Sequence, residues 1–256
     1  MSSDATLAEK TIVVTRPLAQ AQNILEQLEV RQASVIHFPV ISICAASNIE
    51  DAKQHFKNLT NFQIIIFISV NAVHHAMSIA HELEIDIKNF TLAAVGPATK
   101  IALENYGCKV AIVPQSGFSS EALLNDSTLQ NITQQNILIV RGQGGRELLR
   151  ETLEARNAQV SYAEVYQRQL PKERNGVNLC QLSSQNTAIL LCSVESVQNL
   201  WSLCTPEEQQ CLKNMTVVAG SQRIAEATAR VGFAKDSIIA ENPSDGAMLA
   251  ALNTWN

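Results

Sequence analysis

The chain has 256 residues, 46% of them apolar, and a formal net charge of −5. That length and apolar content suit one large or two small globular domains, each able to bury a core. The weak acidic charge, spread without blocks, argues against general nucleic-acid binding, which needs a basic face.

Strand-like runs alternate with helical patterns from end to end. In chain order the runs are "TIVVT" (11–15), "SVIHFPVISI" (34–43), "IIIFIS" (64–69), "TLAAVG" (91–96), "KVAIVP" (109–114), "NILIVR" (136–141), "VSYAEVYQ" (160–167), "AILLCS" (188–193), "TVVAG" (216–220) and "SIIA" (237–240). They are short, rich in Ile and Val, and apolar at successive positions. Strands of that kind separated by helices predict parallel sheets covered on both faces. The fold class is therefore α/β. The helices carry their own boundary signals. Pro17 stands early in the first, where a missing N–H costs little, and Ile24, Leu25 and Leu28 form its inner stripe. Ser119 and Ser244 are predicted N-caps, and Gly107 and Gly232 predicted left-handed stops.

The second half repeats the first. Setting Arg16 on Arg141 brings Leu28 onto Leu153, Arg31 onto Arg156, Ala33 onto Ala158 and Val35 onto Val160, an offset of about 125 residues. The offset holds within a residue for Gly96 against Gly220 and Ser119 against Ser244. A half-protein has been duplicated, which is why "TLAAVGPATKIALENYG" and "TVVAGSQRIAEATARVG" share one shape. The domains need not coincide with the repeats. Residues 34–43 and 160–171 occupy equivalent places and are long enough to cross between two lobes. A simple cut near residue 135 is the alternative.

In doubly wound sheets, ligands gather at the carboxyl ends of the strands. Here those ends carry Arg16, Ser69, Asn71, Gly96, Thr99, Arg141, Ser193, Gly220 and Ser221, and most lead straight into a helix. Free amides and a positive helix end suit carboxylate or phosphate. Two such lobes facing one cleft would hold a large polyanion. Capping is the competing use for the same small polar residues. Other chemistries find no support. "GQGGRE" places Glu147 where a dinucleotide loop needs glycine, and neither Ser69 nor Ser193 lies in G-x-S-x-G. The five histidines, all in the first third, lack ligand spacing, so no metal and no cofactor is expected. Six cysteines without a C-x-x-C pair read as buried reduced thiols, and "MSSDATLAEK" reads as no signal peptide. The expected setting is cytoplasmic and the expected unit a monomer, with no membrane or nucleic-acid partner.

The ordered set "VTRP", "FISVNAV", "AAVGPATKIALENYG", "VRGQGGRELLRETL", "EVYQR" and "NPSDGAMLAAL" resembles the uroporphyrinogen-III synthase family over nearly the full chain. The resemblance implies two similar lobes, each a three-layer parallel-sheet sandwich, joined by a two-stranded antiparallel ladder. It places residues 1–37 with 171–256 in one lobe and 44–164 in the other, with 38–43 and 165–170 as connections. It further implies a cofactor-free reaction on hydroxymethylbilane, a linear tetrapyrrole with eight carboxylates. Water is lost, ring D is inverted and the macrocycle closes. Tyr166, in "VYQR", matches the family's favoured proton donor, and a phenol of ordinary pKa about 10 is protonated at neutral pH. Ser69, Ser193 and Thr99 match family positions expected to bind substrate carboxylates. Arg16 matches an arginine that pairs a carboxylate or braces the cleft. Gly220-Ser221-Gln222-Arg223 departs from the family's frequent Gly-Pro-Thr-Thr, and Gln32 and Asn157 replace glycine at helix ends. The alternative function is a non-catalytic binding protein, or a regulatory domain, for an anionic metabolite.

Overall fold

A computed structural model describes residues 7–255. The first half of the chain forms β1 (Thr11–Val14), α1 (Leu18–Val30), β2 (Ser34–His37), β3 (Ser42–Ala45), α2 (Ile49–Lys57), β4 (Ile64–Phe67), α3 (Val70–Glu82), β5 (Thr91–Ala94), α4 (Pro97–Asn105), β6 (Val110–Ile112) and α5 (Ser120–Leu124). The second forms β7 (Asn136–Gly142), α6 (Leu148–Ala155), β8 (Gln159–Gln169), β9 (Thr187–Leu191), α7 (Val194–Leu203), α8 (Pro206–Leu212), β10 (Thr216–Ala219), α9 (Gln222–Val231), β11 (Ile238–Ile239) and α10 (Asp245–Leu252). Each predicted run contains a strand. The run 34–43 holds two, β2 and β3, because Pro39 has no N–H for a ladder and interrupts the pairing.

The chain divides into two compact units. The first takes residues through Ser42 together with those from Gln169 onward, and the second is Ile43–Arg168. Both crossings therefore fall in strands, one in β3 and one at the end of β8.

The first unit contains a five-stranded sheet in the order β11-β10-β9-β1-β2, parallel throughout. Alternate residues of each strand enter opposite cores, as the pleat requires. Val13, Ile189, Leu191, Val217 and Ala219 pack with residues of α7, α8 and α9. Ile12, Val14, Ala188, Leu190 and Val218 pack with those of α1 and α10. Phe38 and Val40, just after β2, are fully enclosed in the first of these cores. Full burial of each large apolar side chain contributes roughly 1.5–3 kcal/mol.

The second unit contains a six-stranded sheet in the order β3-β8-β7-β4-β5-β6. Its pairs from β8 to β6 are parallel. At the β3 edge, the Ala46 N–H donates to the Val165 carbonyl and the Gln167 side chain donates to the Ala45 carbonyl. Ile65, Phe67, Leu92, Ala94, Leu138 and Val140 face α2, α3 and α4, whereas Ile64, Ile66, Ala93, Ile137 and Ile139 face α5 and α6. The predicted caps form. Ser119 accepts from the Ala122 N–H at 3.2 Å and Ser244 from the Ala247 N–H at 3.4 Å. Gln32 and Asn157 both adopt left-handed φ, at 63° and 61°.

The expectation of six buried reduced thiols holds in full at two positions, since Cys44 and Cys192 are free but only half-buried and two others are bonded to each other. Cys108 and Cys204 are buried, but Cys180 is exposed and disulfide-bonded to Cys211, with Cα atoms 5.3 Å apart. The sequence reading missed α8, and it is α8 that carries Cys211 to the short turn Leu179–Gln181. Closing a loop of sequence separation 31 restricts the unfolded chain. Reduction is expected to lower the unfolding free energy by about 3 kcal/mol. Urea unfolding with and without a thiol reductant checks this, and equal midpoints would refute it. Among the described residues, no helix is long and apolar enough to cross a membrane.

Candidate functional site

The strand-end residues fall in both units, and each unit arranges its own in a similar way. In the second unit, Ser69 caps α3 by accepting the Ala72 N–H at 3.1 Å. Asn71 lies in the first turn of the same helix. In the first unit, Ser193 caps α7 within a capping box shared with Ser196. The two glycine turns are also alike. A methyl group on Gly96 would lie 3.3 Å from the Phe118 Cβ, and one on Gly220 would lie 2.7 Å from the Pro243 Cβ. Each glycine thus admits the residue just before the next serine cap. The helices that follow, α4 and α9, have no side-chain cap hydrogen bond. Their first amides are left for another acceptor. Thr99 is buried on the inner face of α4, Ser221 is the N-cap residue of α9, and Arg223 is exposed in the first turn of α9.

The two repeat-related arginines are engaged inside their own units. Arg16 donates to Asp245 at 2.5 Å, to the Pro243 carbonyl and to the Cys192 sulfur at 3.0 Å. Asn23 holds the other oxygen of Asp245 at 2.7 Å, so the start of α10 is tied to the end of β1. Arg141, only 2% exposed, donates to Glu147 at 3.1 Å and to the carbonyls of Gly142 and Gly144. The loop after β7 closes around that guanidinium. It does so through left-handed φ at Gly144 and Gly145, 72° and 108°, which glycine alone adopts without cost.

A cavity of about 260 Å³ opens in the second unit beside this loop. Ile68, Val95, Ile139 and Leu149 give it an apolar floor, while the 142–146 loop, Tyr162, Tyr166 and Arg168 give it polar walls. Arg146 on the wall pairs with Glu121 at 3.1 Å. The Tyr162 hydroxyl donates to Glu147 at 2.8 Å, and the Arg141 guanidinium lies 4.4 Å from the Tyr162 ring centre. Burial, and then the bond to Glu147, pushes the Tyr162 phenol up to about 12. The same bond, followed by Arg141, holds the Glu147 carboxyl below its ordinary range. Tyr162 stays neutral and Glu147 charged at any physiological pH, so this pair fixes the wall and does not exchange protons.

Tyr166, 3% exposed, stands where β8 meets the cavity. Its hydroxyl lies 3.2 Å from Ser69 Oγ. The ring stacks on His75 with centroids 5.7 Å apart. Burial, reinforced by neighbouring His74, lowers the His75 pKa, so the stacked ring is a neutral imidazole at pH 7. Ser69, Arg141 and Tyr166 are thus gathered at one end of the second sheet. Gly96 and Thr99 follow its next strand, β5, whose Val95 also lines the cavity. Sequence reasoning missed Tyr162, Glu147 and His75. No sequence signal joins Tyr162 to Glu147, 15 residues apart, because the return of the chain from β7 through α6 to β8 brings them together. Among the described residues, no group of three or more His, Cys, Asp or Glu side chains is placed to hold a metal ion.

Two compact units, each built on a largely parallel sheet with amide-rich turns at its strand ends, define an α/β protein. The chain belongs to the uroporphyrinogen-III synthase family: the family model described as uroporphyrinogen-III synthase HemD matches residues 22–250. The uroporphyrinogen-III synthase of Salmonella typhimurium is 35% identical over 163 residues, 62% of this chain and 65% of that protein. That of Escherichia coli is 32% identical over 159 residues, again 62% of this chain and 65% of that protein. The matched stretch thus spans 65% of the length of each of these relatives. The crystal structure of uroporphyrinogen-III synthetase from Helicobacter pylori superposes with a TM-score of 0.63 at 16% identity, covering 96% of this chain and all of the other. A mutant uroporphyrinogen III synthase from Thermus thermophilus gives 0.56 at 15% identity, over 95% and 97%. At those identities the structures speak for the fold.

Proposed function

We propose that the chain is a uroporphyrinogen-III synthase, acting without a cofactor on hydroxymethylbilane in the cytoplasm. The carbon–oxygen bond of the hydroxymethyl group breaks with assistance from its pyrrole nitrogen. The leaving oxygen takes a proton from Tyr166 and departs as water. Ring D is attacked at its substituted carbon to form a spiro intermediate. The original bond between that carbon and the methylene of ring C then breaks, and the freed methylene bonds to the other α-carbon of ring D, whose proton returns to the Tyr166 phenolate as the inverted macrocycle closes.

The observation that carries this reading is the Tyr166 hydroxyl. It is set by Ser69 at the wall of a cavity large enough for a single substituted pyrrole, beside Arg146 and Arg168. Family membership supports it. The turns at Gly96–Thr99 and Gly220–Ser221 precede helices with no side-chain cap and are the proposed seats for substrate carboxylates. Ser69, Asn71 and Ser193 contribute from the adjoining helix starts. Arg16 and Arg141, occupied by partners in their own units, serve by holding the turns in shape. The proposed joint between the units is the β3–β8 pair, where the chain crosses twice. Most of the selectivity comes from holding the chain ends in one geometry.

Incubation with enzymatically made hydroxymethylbilane tests the proposal. The type III isomer must exceed the type I isomer that forms spontaneously. Type I alone would overturn the reading and favour a non-catalytic binder.

A further inference from the structure

The ladder between β7 and β8 contains an irregularity that ends at Tyr166. From Asn136 to Arg141 the two strands advance together, Arg141 standing opposite Glu164. The next residue, Gly142, stands opposite Tyr166, so Val165 is an extra residue on β8. A bulge of this kind re-aims the side chains beyond it. The effect is visible in the packing. Val160 and Tyr162 belong to the core facing α5 and α6, and Ala163 and Val165 to the core facing α2, α3 and α4. Strict alternation would return Tyr166 to the α5 and α6 side. It lies instead in the same cluster as Val165, next to His75 of α3.

Gly142 is the partner that this redirection needs. A methyl group added there would lie 2.5 Å from the Tyr166 Cζ, 2.7 Å from Cε2 and 3.0 Å from Cε1. The hydroxyl-bearing end of the ring thus rests directly on the Gly142 backbone. No other residue type fits unless the ring moves. The ring is also held by its own strand, since the Tyr166 carbonyl accepts the Gln143 N–H at 2.8 Å. Gly142 does not need glycine's conformational freedom, because its φ is outside the left-handed range. Only the space taken by a side chain excludes other residues.

We infer that Gly142, together with the one-residue bulge opposite it, is a positioning residue for the proposed proton donor: it seats the Tyr166 ring so that the hydroxyl meets Ser69 at the cavity wall. The inference deepens the functional reading above and rests on it for its catalytic consequence, though not for its geometry.

The test uses the full chain with Gly142→Ala. Incorporated 3-fluorotyrosine gives one fluorine signal for each of the three tyrosines, and Tyr166→Phe identifies that of Tyr166. Without any substrate, Gly142→Ala is expected to shift the Tyr166 signal and leave those of Tyr106 and Tyr162 in place. With hydroxymethylbilane, kcat is expected to fall by about 100-fold with KM within about threefold, as for displacement of a reacting group by about 1 Å. Gly246→Ala, with nothing within 4 Å of the added carbon, is the control for glycine replacement itself. An unmoved Tyr166 signal overturns the seat. A moved signal with unchanged kcat overturns its role in positioning. An unmutated chain that makes no type III isomer overturns the functional reading, and the fluorine signal still decides the seat. Should Gly142→Ala fail to fold, adding Tyr166→Ala removes the ring and must restore folding; failure to do so also overturns the seat.

Discussion

Phenylalanine in place of Tyr166 is expected to lower kcat for the type III isomer by 10²- to 10⁴-fold, roughly the contribution of a positioned general acid. The substitution is unusually clean. The ring keeps its seat on Gly142 and its stack on His75, and only the hydroxyl near Ser69 is lost. Ser69 retains its bond from the Ala72 N–H, so the α3 cap survives. Folding free energy should change by no more than about 1 kcal/mol, the net worth of one hydrogen bond. Steady-state formation of the type III isomer, beside urea unfolding of both proteins, measures the two effects. An unchanged kcat would remove Tyr166 from the proton transfer.

The second large effect concerns stability in the first unit. The Glu208 side chain is 7% exposed and is held by both terminal nitrogens of Arg174, at 2.7 and 2.6 Å. It also accepts from the Thr205 N–H at 3.0 Å, closing the capping box of α8. Glu208→Ala leaves the Arg174 guanidinium, whose Nε already lacks a partner, with only the Val177 carbonyl and the face of Phe38, opens the α8 capping box, and is expected to cost about 3 kcal/mol. The bonds from Arg174 hold the Glu208 carboxyl below its ordinary value. A depressed carboxyl stabilises the fold above its unfolded pKa of about 4.3, and the stabilisation is lost as pH falls through the lower folded value. The gap between the original chain and Glu208→Ala should therefore be full at pH 7 and narrow below about pH 4. A gap under about 1 kcal/mol at pH 7, by urea unfolding, would refute the account.

The strands were legible because buried parallel strands write themselves as unbroken Ile/Val runs. The double strand within 34–43 was also readable in principle from Pro39. So was α8, since Thr205 and Glu208 form the Ser/Thr-x-x-Glu signature of a capped helix. The Cys180–Cys211 bond was not readable, because spacing does not say which side chains a helix delivers to a neighbouring turn. At the candidate site, Ser69 could be picked out as a strand end, but Tyr166 only through resemblance. What places them together is a register shift shared by two strands, and register is a property of a pair that neither strand states alone. Both arginines stand at strand ends, where pairing a substrate carboxylate and bracing the turn read alike in sequence. Their acceptors in the fold, Asp245 and Glu147, lie 229 and 6 residues away, and no spacing rule announces either pair.

The interrupted course of the chain has a consequence for how it is made. The Ile43–Arg168 unit is continuous, so it can fold as soon as it leaves the ribosome. Strand β1 cannot do the same. It is flanked in its sheet by β2 and by β9, and β9 begins only at Thr187. At ordinary translation speeds that strand emerges on the order of ten to thirty seconds later. Until then the apolar edge of β1 waits without its partner, which makes this interval the period when a holding chaperone matters most to its yield.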